Sequence, residues 1–394
     1  MKKNKIMPRS NRTYKINMVL VLVIALFLSA CNSKNSINKN QTSNTNIVQA
    51  SVFDESPSEN ADNLEHVKET LVTPPFLPKF NQVDTGAPKV VEVKLVVQEK
   101  LLQIAPDAKI WALTYNGSVP GPLIVVHQND YVQVTIVNPK TNTLTHNIDF
   151  HAATGDLGGG SISVVSPGQQ VTFRFKATKA GVFVYHCAPG GIMVPLHVVS
   201  GMNGAIMVLP RNGLADENGN PVKFDKAYYV AEQDYYIPKD KDGKYMEFPT
   251  PADAFGAMLQ TMQTLTPSHI VFNGAKNSLT GKKALTAKVG DKVLFITSEA
   301  NRDTRIHIIG GHADLYWPGG SFNNKPLTNF ESWPVVGGSA VAIMYKFRQP
   351  GTYLYLDHNL INAFLFGAAA EVNVKGDTND DLMKQISKPN KIKE

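Results

Sequence analysis

The chain has 394 residues, with 39 Lys and Arg against 33 Asp and Glu and a formal net charge of +6. This length is sufficient for two ordinary domains. All six excess positive charges lie within residues 1–30, which contain no acidic residue, so the remainder is neutral overall. The basic balance therefore does not indicate nucleic-acid binding, and no nucleic-acid partner is expected.

The N-terminal segment is typical of an exported protein. A basic stretch precedes an apolar run from Met18 to Ala30, which is too short to span a bilayer as a helix. Leu28-Ser29-Ala30-Cys31 resembles the lipobox of bacterial lipoproteins, in which the Cys is lipidated and becomes the first residue of the mature protein. We therefore expect a signal peptide over residues 1–30 and a lipid anchor at Cys31 on the periplasmic (extracytoplasmic) side of a bacterial membrane. The alternative is an ordinary signal peptide with an incidental Cys.

Residues 31–75 are predicted to be a linker. Residues 32–63 are dominated by Asn, Ser, Lys, Gln and Thr, and such a segment cannot bury enough apolar surface to fold. Leu64–Thr73 is predicted as a short helix before Pro74-Pro75. After lipidation of Cys31, Cys187 is the one remaining Cys, so no internal disulfide is expected.

From Val90 onward the pattern is one of short strands. Runs rich in Val, Ile, Thr, Phe and Tyr are broken by Gly, Pro, Asn and Asp, and these runs are Val90–Gln98, Leu123–His127, Tyr131–Val137, Val171–Lys176 and Val182–His186. Asp253–Leu265 is the clearest predicted helix. The fold class is therefore mainly β, with sandwich domains.

The chain also repeats itself. Gly290-Asp291-Lys292-Val293 answers Asn129-Asp130-Tyr131-Val132, and each string leads to a His sixteen residues after its Asp, namely His146 and His307. Aligning Gly181 with Gly351 sets Asp357 opposite Cys187, so the second copy lacks a thiolate. A period this long predicts two similar domains in tandem, over 76–212 and 213–376, followed by a tail over 377–394.

Four residues of the first copy form the ligand set of a blue copper site. These are two imidazoles, one thiolate and a weak axial thioether, from His146, Cys187, His197 and Met202. Met193 is a rival for the axial position.

Strand geometry separates a second set of donors. Adjacent side chains in a strand face opposite ways, so His186 opposes Cys187, and His151 opposes His146 while sharing a face with Asp149. We therefore expect an outward-facing site that holds His151 and His186 and is joined to the buried one by a single peptide link, a short covalent path for an electron. A catalytic metal there needs a further ligand, and the candidates are His307, His312 and His358.

Long strings of the chain resemble the copper-containing nitrite reductases. They are His146–Gly155, Tyr185–Pro189, His197–Gly204, Asn301–Arg305 and His358–Ile361, and the similarity extends from about Val90 to Gln385. The resemblance implies two cupredoxin-like Greek-key domains in each subunit of a homotrimer. It implies one type 1 copper on His146, Cys187, His197 and Met202, and one type 2 copper on His151, His186 and His358, the last from a neighbouring subunit.

The same resemblance implies the reaction. Nitrite would be reduced by one electron to nitric oxide and water, with Asp149 and His307 as the acid–base pair and Ile309 as an apolar lid. A small cupredoxin or a cytochrome c would supply the electron. The stretch between Cys187 and His197 is one residue longer than in close members, and Leu196 stands where many have Trp.

Two other functions fit part of the pattern. A two-domain multicopper oxidase needs several His-x-His pairs, one of them His-Cys-His, whereas Ala188 follows Cys187 here. A blue-copper electron-transfer lipoprotein would leave Asp149, His151, His186 and His358 without a common role.

Overall fold

The computed structural model describes residues 60–392. The predicted signal peptide and the Cys31 lipidation site lie outside this range. No helix within the described part of the chain is long and apolar enough to cross a membrane.

The first domain is a sandwich of two sheets, as its alternating pattern predicts. Its strands are β1 (His66–Lys68), β2 (Val90–Ala105), β3 (Ala108–Tyr115), β4 (Ile124–His127), β5 (Tyr131–Asn138), β6 (Asp149–Phe150), β7 (Gln169–Lys176), β8 (Gly181–His186) and β9 (Asn203–Leu209). One sheet has the order β1-β2-β5-β7 with β3 beside β2, and the other has the order β4-β9-β8-β6. The inward residues of β5, Val132, Val134 and Ile136, are fully buried between them.

The second domain repeats this arrangement with a larger sheet. A short hairpin of β10 (Leu214–Ala215) and β11 (Pro221–Val222) leads into it. Its strands are β12 (Lys226–Tyr229), β13 (Glu232–Tyr235), β14 (His269–Phe272), β15 (Leu285–Lys288), β16 (Lys292–Glu299), β17 (Thr304–Ile309), β18 (Ala313–Trp317), β19 (Leu327–Phe330), β20 (Ser332–Val335), β21 (Ser339–Lys346), β22 (Gly351–Asp357) and β23 (Ala369–Lys375). The sheet orders are β14-β13-β16-β21-β18-β19 with β12 beside β16, and β15-β23-β22-β17-β20.

The helical segments are short. They are α1 (Met193–Val199), α2 (Pro251–Met262), four 3₁₀ turns (Ala61–Asn63, Asp156–Gly159, Gly281–Lys283 and Pro318–Gly320) and a π-helical turn (Asn362–Phe366). Thr250 caps α2, since its side chain accepts a hydrogen bond from the Asp253 amide at 3.3 Å. The predicted helix at Asp253–Leu265 is therefore present, shifted towards the N-terminus.

Two predicted elements differ from the structure. The strand predicted at Val90–Gln98 continues to Ala105, because its second half pairs antiparallel with β3. The helix predicted at Leu64–Thr73 is wrong, because His66–Lys68 pairs as a parallel strand with Val90–Glu92 at the sheet edge.

The two domains share an apolar core. Val182 and Val184 of β8 are buried in one cluster with Leu294 of β16 and Ala342 and Met344 of β21. Gly181, at the start of β8, forms an isolated bridge with Ser321, and a Cβ at Gly181 would lie 2.8 Å from the Gly320 carbonyl oxygen. The strand that leads to Cys187 thus lies against the second domain.

Candidate metal centres

Three donor atoms converge inside the first sandwich. Cys187 Sγ lies 3.3 Å from His197 Nδ1 and 3.8 Å from His146 Nδ1, and all three residues are fully buried. Met202 is fully buried in the same apolar cluster as Cys187, and its carbonyl accepts a hydrogen bond from the Cys187 amide at 3.0 Å. One thiol and two imidazoles at these separations fit a single shared ion of the copper or zinc type.

Local chain geometry brings these donors together. β8 ends at His186, so Cys187 is the first residue after it, and His197 lies in the last turn of α1. Gly201 turns the chain from α1 into β9 with a φ of +98°, and a Cβ there would lie 2.6 Å from the Val119 side chain. Glycine is therefore required at this turn, and the turn sets Met202 beside Cys187.

Each donor has polar partners of its own. His146 Nε2 lies 3.1 Å from Glu99 Oε1, and the Glu99 side chain is only 3% exposed. Burial raises the pKa of Glu99, but hydrogen bonds from His146, Thr143 and Leu144 outweigh burial and leave that pKa below its ordinary value. A carboxylate beside the imidazole fixes the ring and makes it a stronger ligand.

The thiol has an amide neighbour that also holds the next residue. Asn147 Oδ1 accepts a hydrogen bond from the Ala188 amide at 2.7 Å and lies 3.5 Å from Cys187 Sγ. Its Nδ2 group donates to the Ala188 and Gly160 carbonyl oxygens, each at 2.8 Å. Together with the bond from the Cys187 amide to the Met202 carbonyl, these contacts fix the backbone at Cys187 and Ala188.

Burial favours the neutral forms of the Cys187 thiol and the His197 imidazole. Burial raises the pKa of Cys187 to about 12 and lowers the pKa of His197 to about 3, where the nearby His146 adds to the effect. His197 Nε2 is buried with no hydrogen-bond partner, and the Phe255 ring of α2 lies 5.8 Å from the His197 ring. A thiol and two neutral imidazoles are donors that fit a metal ion, whose positive charge would favour the thiolate form.

A second donor set lies on the other side of the same strands. His151 Nε2 and His186 Nε2 are 3.2 Å apart, and Asp149 Oδ2 lies 3.9 Å from His186 Nε2. The His186 ring donates from Nδ1 to the Cys187 carbonyl oxygen at 3.1 Å, which leaves Nε2 free to bind a metal. Burial, followed by the neighbouring His186, lowers the pKa of His151 and keeps that ring available as a neutral ligand.

The remaining predicted residues lie in the second domain. The rings of His307 and His358 are 5.2 Å apart and edge-on, and His358 is exposed. His307 donates from Nδ1 to the Glu331 carbonyl oxygen at 2.5 Å. Ile309 is 41% exposed and shares the outward face of β17 with His307. Among residues 60–392, neither His358 nor His312 joins the group of Asp149, His151 and His186.

Several residues of this region were not singled out from the sequence. Asn147 stands next to His146, and that position is the one signal that could have identified it. Glu99, Phe255 and Glu331 lie far along the chain from the residues they contact, and no local pattern marks them.

Comparison with known proteins accounts for both domains. Models of the multicopper oxidase family match residues 97–213 and 226–377. The copper-containing nitrite reductase of Rhizobium meliloti is 57% identical over 331 residues, covering 84% of this chain and 88% of that protein. The enzyme of that name from Alcaligenes faecalis is 56% identical over 328 residues, covering 83% and 87%. A solved copper nitrite reductase from Nitrosomonas europaea superposes with a TM-score of 0.60 at 28% identity, covering 74% of this chain and 96% of that one.

Proposed function

The chain belongs to the copper-containing nitrite reductases, and on that basis we propose that it reduces nitrite to nitric oxide with one type 1 and one type 2 copper per subunit. It is an oxidoreductase of the two-domain cupredoxin type. The observation that carries the detailed proposal is the pair of donor sets on opposite sides of the peptide that joins His186 to Cys187. A carrier with a blue copper site alone would have no use for the second set.

We assign the buried set to the type 1 copper. His146, Cys187 and His197 supply the strong ligands, and Met202 supplies the weak axial one. The apolar surroundings exclude water, and Glu99 keeps the His146 ring oriented.

We assign His151 and His186 to the type 2 copper, completed by His358 of a neighbouring subunit in a homotrimer. In support, His358 is exposed and lies apart from the other two donors within one chain. The apolar side chains of Leu360, Ile361, Phe364 and Leu365, which follow it, are 47–67% exposed. Such a patch suits burial against a second copy of the chain.

The overall reaction consumes nitrite, one electron and two protons and yields nitric oxide and water. Copper, when bound, supplies the electron and a positive charge that favours nitrite binding. Asp149 lies beside His186 with its side chain 24% exposed, so it can hold a proton next to bound nitrite. His307 Nδ1 donates to the Glu331 carbonyl oxygen, so Nε2 is the ring nitrogen left to carry the second proton to bound nitrite. Ile309 would limit the access of water from its side.

The leader sequence supports the location, and the family resemblance supports the electron donor. We propose that the protein is exported and held at the membrane by a lipid on Cys31, and that a small cupredoxin or cytochrome c delivers electrons at the type 1 site. A fatty acid supplied to growing cells as a label should be incorporated into the wild-type protein and not into Cys31→Ser. Equal labelling of the two proteins would contradict the anchor and leave the catalytic assignment untouched.

Copper electron paramagnetic resonance tests the catalytic proposal. We would load the protein expressed without residues 1–31 with copper and record spectra with and without nitrite. A narrow-hyperfine type 1 signal, together with a type 2 signal that shifts on adding nitrite, is expected. A type 1 signal alone, unchanged by nitrite, would show that the protein is an electron carrier and would contradict the catalytic proposal.

A further inference from the structure

A glycine-rich loop lies directly against the Asp149 carboxyl group. The loop spans residues 155–160 and has left-handed backbone at Gly155 (φ +84°), Gly158 (φ +63°) and Gly159 (φ +97°). A Cβ at Gly158 would overlap Asp149 Oδ1 and lie 3.0 Å from Asp149 Cγ and 2.8 Å from the Phe150 carbonyl oxygen. No alternative side chain fits between this loop and the carboxyl group.

The loop is anchored on either side of that contact. Asn147 Nδ2 donates to the Gly160 carbonyl oxygen at 2.8 Å, and a Cβ at Gly159 would lie 2.6 Å from the Phe173 ring. Ser161 Oγ hydrogen-bonds the Asp156 carboxylate at the other end of the turn. Because these contacts restrain the loop backbone, a new atom at residue 158 would act on the freer neighbour, which is the tip of the Asp149 side chain.

Few other contacts hold the Asp149 side chain. Among the described residues its nearest polar neighbour across the sheet is His186 Nε2, at 3.9 Å, which is longer than a hydrogen bond. Asp149 is the first residue of the two-residue strand β6, which pairs with β8 through Asp149 and His186. The backbone at Gly158 leaves no room for even a Cβ beside the carboxyl group, so it limits where that group can stand.

We propose that Gly158 is a positioning residue that fixes the Asp149 carboxyl group beside the His151–His186 pair. This inference rests on the proposed function, because the placement of Asp149 matters for turnover only if Asp149 serves bound nitrite. A misplacement of about 1 Å can cost about 10²-fold in rate. The loop thus acts on the chemistry through Asp149 while touching neither metal ligand set.

Gly155 provides a matched control. It lies in the same loop and also has a positive φ, +84° with a ψ of 174° against +63° and 18° at Gly158, yet a Cβ there would meet no atom within 4 Å. Gly155→Ala therefore imposes the backbone strain without the contact on Asp149, whereas Gly158→Ala imposes both. The two variants separate loop strain from displacement of the carboxyl group.

The experiment measures kcat and KM for nitrite in the wild type and in four variants: Gly155→Ala, Gly158→Ala, Asp149→Asn and the double variant Asp149→Asn/Gly158→Ala. We expect Gly158→Ala to lower kcat by about 10²-fold and Gly155→Ala to leave it near the wild-type value. In the Asp149→Asn background, Gly158→Ala should cause almost no further loss, since both changes act on one carboxyl group. Equal losses in the two backgrounds, or equal losses for the two glycine variants, would overturn the inference.

A structural readout separates this inference from the proposed function. A crystal structure of Gly158→Ala should show the Asp149 carboxyl group displaced while His151 and His186 keep their places, and an unmoved carboxyl group would refute the positioning role. If Gly158→Ala does not fold, Ser161→Ala loosens the same loop by removing its bond to Asp156, and its effect on kcat should likewise vanish in the Asp149→Asn background. An inactive wild-type protein would instead overturn the proposed function, and the crystal structure would still decide the placement of Asp149.

Discussion

Replacing Glu69 by Gln should change how the stability of the protein depends on pH. Glu69 Oε1 accepts a hydrogen bond from the Val125 amide at 3.1 Å, while Oε2 is buried without a partner. Burial, which outweighs that hydrogen bond, raises the pKa of Glu69 from 4.5 to about 8. The folded protein therefore keeps a proton on Glu69 at pH values where the unfolded chain has released it.

The sign and the size of the effect follow from this difference. Between about pH 4.5 and 8 the folded state binds one more proton than the unfolded state, so the free energy of unfolding falls as pH rises. The slope is ~1.4 kcal/mol per pH unit, which amounts to about 5 kcal/mol over the whole interval. Gln cannot ionise and retains an acceptor for the Val125 amide, so Glu69→Gln should match the wild type below pH 4.5 and exceed it progressively up to pH 8.

The assay is urea or thermal unfolding of the copper-free protein at pH 5 and pH 8, comparing wild type, Glu69→Gln and Glu65→Gln. Glu65 is exposed on the same segment, so its substitution controls for the loss of a charge alone. The gain in stability should be larger at pH 8 than at pH 5 for Glu69→Gln and absent for Glu65→Gln. A Glu69→Gln gain of the same size at both pH values would refute the reasoning.

Three further changes test the metal centres. Asp149→Asn should keep both coppers and lower kcat by about 10²–10⁴-fold, since it removes a proton donor; undiminished turnover with both copper signals present would contradict the assignment. Glu99→Gln removes the charge beside His146 and should weaken type 1 copper binding by about 10–100-fold, as measured by competition with a chelator. The type 2 signal should be unchanged, and equal weakening at both sites would point to a general loss of structure. His358→Ala should abolish the type 2 signal and preserve the type 1 absorption. Mixed trimers with a His151→Ala subunit should regain some type 2 signal, because one interface then has a complete ligand set. A His358→Ala variant that keeps its type 2 copper would exclude His358 as a ligand.

The sequence predicts strands well where one face of a strand is buried. The alternation of Tyr131–Val137 matches the burial of β5 closely, because a period of two has no other simple explanation. Leu64–Thr73 failed as a helix because its pairing partner, Val90–Glu92, lies more than twenty residues away. Local propensity carries no information about an edge strand that an existing sheet recruits.

In the candidate site, too, residues marked by a local sequence pattern are predicted, and residues that meet only in the folded chain are not. Cys187, His197 and Met202 lie within sixteen residues of one another and are grouped by spacing, whereas His146 lies 41 residues upstream and is added because a blue copper site needs a second His. Glu99 reaches His146 across 47 positions of sequence, and no pattern near it indicates a buried carboxylate. The contact of Gly158 with Asp149 is equally hidden, since a run of glycines indicates a turn without telling which atom the turn approaches.

The apolar core shared by β8 with β16 and β21 determines whether the two domains can be separated or exchanged between relatives. Val182 and Val184, which lie on β8 a few residues before Cys187, rest on apolar side chains that the second domain provides. Cutting the gene between the two halves would expose that face of β8, so the first half is not expected to survive as a separate blue protein. The second half contains no Cys, yet its apolar side chains support the strand that leads to Cys187. Shuffling one half among relatives should therefore succeed only when the exchanged half brings side chains that match Val182, Val184 and their partners.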